Sequence, residues 1–600
     1  MKIKRFFRKE ILFLLLILGF SFFLRLADQP NFPACLHRDE VQFGYNAYSL
    51  LKTGRDEWGQ FLPTHFRYNG EYHVPVVFYL IASVMFFTGP TDLSIRLPAI
   101  IIGSLIPILA YLLIKEIFKD KKLALIFALL LSFNPWEVIN ARASGEISII
   151  SLFLGILGFY LLSVFIRNKH KLVFFLAVTS LVLAYLSYIA SRLNVPIMLI
   201  IFLVIFFKEI PFKKLILPIL GLVICLPFLL VALYPQRFVT TSIVAAKFFP
   251  DDVNQRKEAI IGYKTNKVKF ILNRGREFFF EFVDNYFDYL SPHYIFREMG
   301  EPDRTNIFQS GSLYLVEIIT VIFGIYALLR SKNKKGRNLI ILWFFAAPIV
   351  GALTFNYPDK PNSARTVYFY FILSFLSAYG VYFLLNFSHR QLLRKVILMT
   401  LISAFLVNGF FIYKQVRFYT NQRLAPVRDC GYPEVFQLTE SLKSQFPIVY
   451  FGTVYEYPYI HYLWQTKYSP EKYHEFLRNN PSGNDVVLLN SPNKHDWQLE
   501  NYVFKHRSCL VDRDENVLMV AKFTDCKDRY QIKVMKDFKT NRLLFLLPPV
   551  PEYKQLDKIV YQEMGEIKRT DGSTVFNLYT YNKNNDNISA QDMKDFVQVN

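Results

Sequence analysis

Cysteine is scarce, at five in 600 residues, and none sits in a Cys-x-x-Cys or Cys/His spacing. That excludes a small disulfide-stapled scaffold and leaves no sequence signature of a zinc site. Charge is also low: charged residues reach 20%, beside 52% hydrophobic residues and a positive mean hydropathy. Intrinsic disorder and an ordinary soluble multidomain chain are both excluded by that balance. No Gly-rich phosphate loop follows a predicted strand, so nucleotide-driven pumping is a poor fit. Internal repeats of the kind seen in secondary transporters are lacking as well. Acids are short of bases, 48 against 69, giving a net charge of +21. Such an excess suits nucleic acid only where the basic residues share one surface.

What is present is apolar and aromatic, with 60 Phe and 37 Tyr. Residues 1–10 are strongly basic and precede an apolar run, Ile11–Leu24, with no small-x-small cleavage site after it. This reads as an uncleaved first transmembrane helix. Runs of about 20 apolar residues are needed to cross the hydrocarbon layer. Eleven candidates occur, at 11–27, 95–117, 122–138, 147–166, 172–189, 194–208, 214–233, 313–330, 338–355, 366–386 and 395–413. The gaps that fall on the side of the N-terminus hold twenty-two Lys and Arg, and the short gaps on the other side hold four. By the positive-inside rule the N-terminus is cytoplasmic, and an odd span count puts the C-terminus outside. The positive charge is dispersed over inner turns, so no nucleic-acid partner is expected. Val74–Thr88 is apolar but too short for a span, and is expected as a short helix at the outer membrane surface.

The predicted fold is a polytopic α-helical membrane protein with an extracytoplasmic α/β domain. Its divisions are a first helix (1–27), a first outer loop with interfacial helices and acids (28–94), helices two to seven (95–233), a large outer loop (234–312), helices eight to eleven (313–413) and the terminal domain (414–600). Strand-like runs in that domain are Ile448–Gly452, Asp485–Leu489, Val517–Phe523, Leu543–Leu547 and Val575–Tyr581. An oxidising outer side is compatible with one disulfide there, Cys509 and Cys526 being the nearest pair, whereas Cys225 reads as a packing residue inside a span.

Candidate chemistry gathers in the first outer loop. His37-Arg38-Asp39-Glu40 follows the first helix directly, and adjacent carboxylates there are costly to desolvate. One reading is structural, with Asp39 capping an amphipathic helix that begins at Val41. Glu71 and His73 lie two apart, so an extended segment points both the same way, an arrangement able to hold a divalent cation.

The blocks Asp39-Glu40, Gly44-Tyr45-Asn46-Ala47-Tyr48, Gly54-Arg55-Asp56-Glu57-Trp58-Gly59, Gly70-Glu71-Tyr72-His73 and Arg96-Leu97-Pro98-Ala99 stand in the order found in bacterial glycosyltransferase family 39 proteins. Asn134-Pro135-Trp136, Tyr188 with Ser191-Arg192, Gly311 with Leu313-Tyr314, and Pro358 with Asn362 and Arg365 continue the likeness over roughly residues 1–420. The chain thus resembles the C-type superfamily that includes protein O-mannosyltransferases and lipid A aminoarabinose transferases.

The resemblance implies transfer of a sugar from a polyprenyl-phosphate donor to an acceptor (protein, lipid or cell-envelope glycan) on the outer face of the cell membrane. It implies Asp39 as the base that takes the acceptor's proton, with Glu40 orienting the loop or holding a second proton. A lipid-phosphate leaving group needs positive charge, for which Arg142, Arg192, Arg365 and Lys360 are candidates. Each arginine also lies near a helix end, where it could reach for headgroups. Glu146 would pair with Arg142 or position the acceptor. His73 stands where many relatives carry Lys, leaving two readings, a metal site with Glu71 or a weaker phosphate contact; no cofactor is otherwise implied. A lipid-linked glycan transporter or flippase, and a non-catalytic envelope assembly protein, are the competing classes.

Overall fold

The computed structural model describes residues 2–29, 31–68, 71–143, 148–210, 274–297, 309–354, 361–387, 390–420, 428–452, 458–479, 497–505, 517–521, 561–568 and 574–581. Two units separate by their internal packing. The first comprises Met1–Pro33 and Pro63–Leu424, and the second Ala34–Leu62 and Ala425–Asn600.

The first unit is helical. In chain order it holds α1 (Lys2–Leu26), then, after the second unit's α2 (Arg38–Thr53), α3 (Val76–Thr88), α4 (Asp92–Phe118), α5 (Lys121–Ser132), α6 (Pro135–Arg142), α7 (Ser148–Asn168), α8 (Lys171–Tyr185) and α9 (Ser191–Ile205). Helices Arg274–Leu290, Glu317–Leu329, Lys334–Ala346, Val367–Asn386 and Gln391–Gln415 follow. Four helices among the described residues are long and apolar enough to cross a membrane: Asp92–Phe118, Ser148–Asn168, Ser363–Asn386 and Gln391–Tyr419. Helix Gln391–Gln415 leaves Leu392, Val396, Leu406, Val407 and Phe410 exposed, as α1 leaves Phe13, Leu15, Leu16 and Phe23. Apolar surface of this extent is stable against lipid rather than water. The expected span 214–233, Cys225 and most of the large outer loop lie outside the described residues.

The stretch expected as one span at 122–138 is instead broken. Asn134 caps a new helix by accepting the Glu137 N–H at 3.0 Å, and Pro135 occupies its first turn. The two pieces, α5 and α6, bend by 52°. Elsewhere close helix contact depends on small residues: a side chain at Gly324 or Gly380 would strike the backbone carbonyl of Leu376 or Thr320 on the facing helix. Between the same two helices Thr320 and Ser377 hydroxyls hydrogen-bond at 2.7 Å, the small-and-polar contact that serves where lipid removes the hydrophobic drive. Helix α3 has 13 residues, too few to cross at 1.5 Å each, and buries Val77, Phe78, Ile81 and Met85.

The second unit carries a six-stranded sheet in the order β4-β5-β3-β6-β8-β7, the hairpin β1 (Phe66–Tyr68) and β2 (Glu71–His73) belonging to the first unit. Its strands are β3 (Ile448–Gly452), β4 (Trp497–Leu499), β5 (Tyr502–Lys505), β6 (Val517–Ala521), β7 (Tyr561–Lys568) and β8 (Thr574–Tyr581). β3 pairs in parallel with β5 and β6, and the remaining pairs are antiparallel. Asp485–Leu489 and Leu543–Leu547 lie outside the described residues. Helix α2 packs within this unit, on helices Pro458–Gln465 and Pro470–Asn479. The nearest-pair rule missed the disulfide seen here: Cys35 is bonded to Cys430, across 395 positions, while Cys509 and Cys526 lie outside the described residues.

Candidate functional site

Helix α2 begins with a reciprocal cap. Its N-cap is His37, not Asp39: the Nδ1 atom of His37 accepts the Asp39 N–H at 3.2 Å, and Glu40 accepts the His37 N–H at 3.1 Å. Asp39 and Glu40 both sit in the first turn, where the helix dipole favours negative charge.

Their surroundings set the two acids apart. Glu40 is fully buried and takes an ion pair from Arg428 at 2.6 Å. Arg428 also donates to the carbonyls of Ala34 at 3.0 Å and Cys35 at 3.2 Å. Asp39 keeps 12% side-chain exposure, and its Oδ1 lies 3.7 Å from His37 Nδ1. Of this pair only Asp39 keeps any exposure, and it too is largely buried. Asp429 accepts the Arg38 N–H at 2.9 Å and lies 3.8 Å from His461, whose ring stacks on Tyr432 at 3.9 Å. Burial opposes ionisation of Asp429, but His461, His37 and Arg38 outweigh it and hold the carboxyl below its ordinary range.

Behind α2 lies a second acidic pair in the Arg55-Asp56-Glu57-Trp58 block. Asp56 Oδ1 accepts the N–H groups of Trp58 at 3.0 Å and Gln60 at 2.8 Å, and Asn46 accepts the Glu57 N–H at 3.0 Å. Both carboxyls are buried, and burial pushes Asp56 up to about 6 and Glu57 up to about 8, the neighbouring Asp56 charge adding to the latter. A carboxyl raised above its unfolded value of about 4.3 is neutral in both states at low pH, and the folded state holds protons longer as pH rises, so stability falls between about pH 4 and pH 8. At pH 7 the Glu57 contribution is a loss on the order of 3 kcal/mol. Glu57→Gln is therefore expected to raise the melting temperature of the detergent-solubilised protein at pH 8 and to leave it nearly unchanged at pH 4; equal effects at both pH values would contradict this.

In the first unit the candidate arginines divide. Arg142 spends its guanidinium on carbonyls: Nε on Phe32 O at 3.1 Å, one terminal nitrogen on Leu24 O at 2.7 Å, the other on Ala27 O and Phe32 O at 2.6 and 2.7 Å. These bonds tie off the end of α1. Arg192 and Arg365 are half-buried and stand on neighbouring elements, for Asn194 of α9 donates to the Arg365 carbonyl at 3.2 Å. Tyr289 fixes the same turn by donating to Asn362 O and accepting from Asn362 N–H. His65 lies near Arg192; burial, then that guanidinium, holds its imidazole below the ordinary value.

The backbone of β2 carries Glu71 and His73 at i and i+2, and the buried His73 ring packs edge-on to Phe78 at 6.4 Å. Among the described residues no three His, Cys, Asp or Glu side chains converge on a metal-sized site. Lys360 and Glu146 lie outside the described residues. Residues missed in the sequence are Arg428, Asp429 and His461, and the buried pair Arg25–Glu137 at 3.6 Å. Arg25 lies within a span expected from apolarity alone, and no local pattern singles it out.

Fold and site define a multi-pass helical membrane protein joined to an α/β unit that holds a paired-acid helix. Over residues 72–234 the chain matches the family model described as dolichyl-phosphate-mannose-protein mannosyltransferase, and the glycosyltransferase resemblance is borne out over that stretch. Among solved structures it is similar to the archaeal oligosaccharyltransferase AglB from Archaeoglobus fulgidus in complex with an inhibitory peptide and a dolichol-phosphate. That pair is 14% identical with a TM-score of 0.46, covering 97% of this chain and 75% of that one. An Archaeoglobus fulgidus oligosaccharyltransferase complex with Zn and sulfate gives 13% and 0.46, over 94% and 72%. ArnT from Cupriavidus metallidurans bound to undecaprenyl phosphate gives 8% and 0.48, over 96% and 98%. No curated protein sequence matches the chain. Similarity at these levels assigns no residue role.

Proposed function

We propose that the protein is a membrane glycosyltransferase that moves a sugar from a polyprenyl-phosphate donor to an acceptor on the outer face of the membrane. The observation that carries this reading is the match of residues 72–234 to a family whose description names dolichyl-phosphate mannose as donor and protein as acceptor. The Cys35–Cys430 bond supports placing the α/β unit on the oxidising, outer side.

In the proposed reaction Asp39 accepts the proton of the acceptor's hydroxyl or amine as that atom bonds to the sugar's C1. The bond from C1 to the phosphate oxygen breaks, and polyprenyl phosphate leaves with the electron pair. Arg192 and Arg365, with Lys360, offset the charge that grows on the leaving oxygen. Glu40 holds the helix in place. Any divalent ion held by Glu71 and His73 would supply further positive charge to the phosphate.

The test is transfer from labelled polyprenyl-phosphate sugars to a mixed envelope fraction by the purified protein in proteoliposomes. Transfer from at least one lipid-linked donor, and none from nucleotide sugars, is expected. Donor movement across the bilayer without transfer would replace the reading with a flippase. Arg365→Ala is expected to raise the donor concentration for half-maximal rate roughly 10- to 100-fold, the loss of one charge-assisted contact of about 1.5–3 kcal/mol; an unaltered donor dependence would remove Arg365 from the phosphate site.

A further inference from the structure

Asp39 sits on a helix start that a segment near position 430, in the same unit, grips at several points. The residues on either side of Asp39 are each fixed by it: Arg38 through its N–H to Asp429, Glu40 through its carboxylate to Arg428. Arg428 further fixes the two carbonyls that lead into the helix, at Ala34 and Cys35, and the disulfide binds Cys35 to Cys430. Three consecutive side chains, Arg428, Asp429 and Cys430, thus converge on residues 34–40. Two non-glycine residues in this junction adopt left-handed backbone, Cys35 at φ 59° and Asp429 at φ 50°. Such conformations persist where the surroundings over-determine them. Behind the turn, His461 stacked on Tyr432 faces Asp429 and keeps its carboxylate ionised as an acceptor.

We infer that Arg428 and Asp429 are positioning residues for the Asp39 base. The inference rests on the reading of Asp39 given under the proposed function. A base must stand within hydrogen-bond reach of the proton it takes, and a displacement of about 1 Å costs on the order of 10²-fold in rate. Neither residue is assigned to the donor. Their loss should therefore act on turnover and spare donor binding.

The experiment compares kcat and donor KM for the wild type, Asp39→Asn, Asp429→Ala, Asp429→Asn and Arg428→Lys, each full-length in proteoliposomes. Asp429→Ala removes the acceptor for the Arg38 N–H and is expected to lower kcat roughly 10- to 100-fold with donor KM within about twofold. Asp429→Asn keeps an acceptor oxygen and should recover most of that rate, a rescue that loss of the carboxylate charge alone would not give. Arg428→Lys keeps the charge but loses the fork that reaches two carbonyls and Glu40 together, and should fall between them. Unchanged kcat in Asp429→Ala and Arg428→Lys, beside an inactive Asp39→Asn, would overturn the positioning role and leave the proposed function standing. A fully active Asp39→Asn would instead overturn the base assignment on which both depend. A parallel loss of kcat and melting temperature in Asp429→Ala that Asp429→Asn does not repair would make the turn merely structural and would also overturn the inference.

Discussion

Arg428→Met is expected to cost the α/β unit roughly 3–5 kcal/mol, because it leaves the Glu40 carboxylate buried without its counter-charge. Both side chains are withdrawn from water, at 1% and 0% exposure, so solvent cannot take over the lost partner. The carbonyls of Ala34 and Cys35 lose their donors in the same substitution. Combining it with Glu40→Gln removes both charges, and replacing a buried ion pair as a whole is often close to neutral. Most of the stability should therefore return in the double variant. Thermal unfolding of the purified protein in detergent, with limited proteolysis reporting on residues 425–600, checks both steps. A single variant as stable as the wild type would mean that the pair contributes nothing.

Asp39→Asn should have the largest effect on chemistry and a small one on stability. Asparagine has almost the same shape, and the cap bond at this position uses the backbone N–H of residue 39 and not its side chain. What is lost is the capacity to accept a proton, which is worth roughly 10²- to 10⁴-fold in rate for a positioned general base. Donor binding is proposed for Arg192 and Arg365 and should be spared. The two substitutions separate the roles proposed for the acid pair, Glu40 as the residue that holds the helix and Asp39 as the base.

How much of this the chain announces in advance depends on the range of the interactions. Apolar runs and loop charge are local, so helices at 92–118, 148–168, 367–386 and 391–415 were legible from composition alone. Asp39 and Glu40 were legible as a pair because adjacent acids after an apolar helix are costly. The Arg428 partner of Glu40 was not, since it lies 388 positions later and a buried ion pair has no local signature. The same range hid the Cys35–Cys430 bond. Arg142 shows a different case. An arginine at the end of an apolar segment reads as a ligand contact, yet here carbonyls near the end of α1 engage every nitrogen of its guanidinium. The 134–135 break was half visible: Asn-Pro is a strong helix start, but the apolar residues on both sides favoured reading through it.

Asp39 as the base is tested most directly by single-turnover sugar transfer from a labelled polyprenyl-phosphate donor, at saturating donor, with the wild-type protein and Asp39→Asn side by side. Transfer by the wild type is expected, with a rate at least about 100-fold lower in the variant, at equal donor occupancy and melting temperature. Equal rates in the two proteins would contradict it.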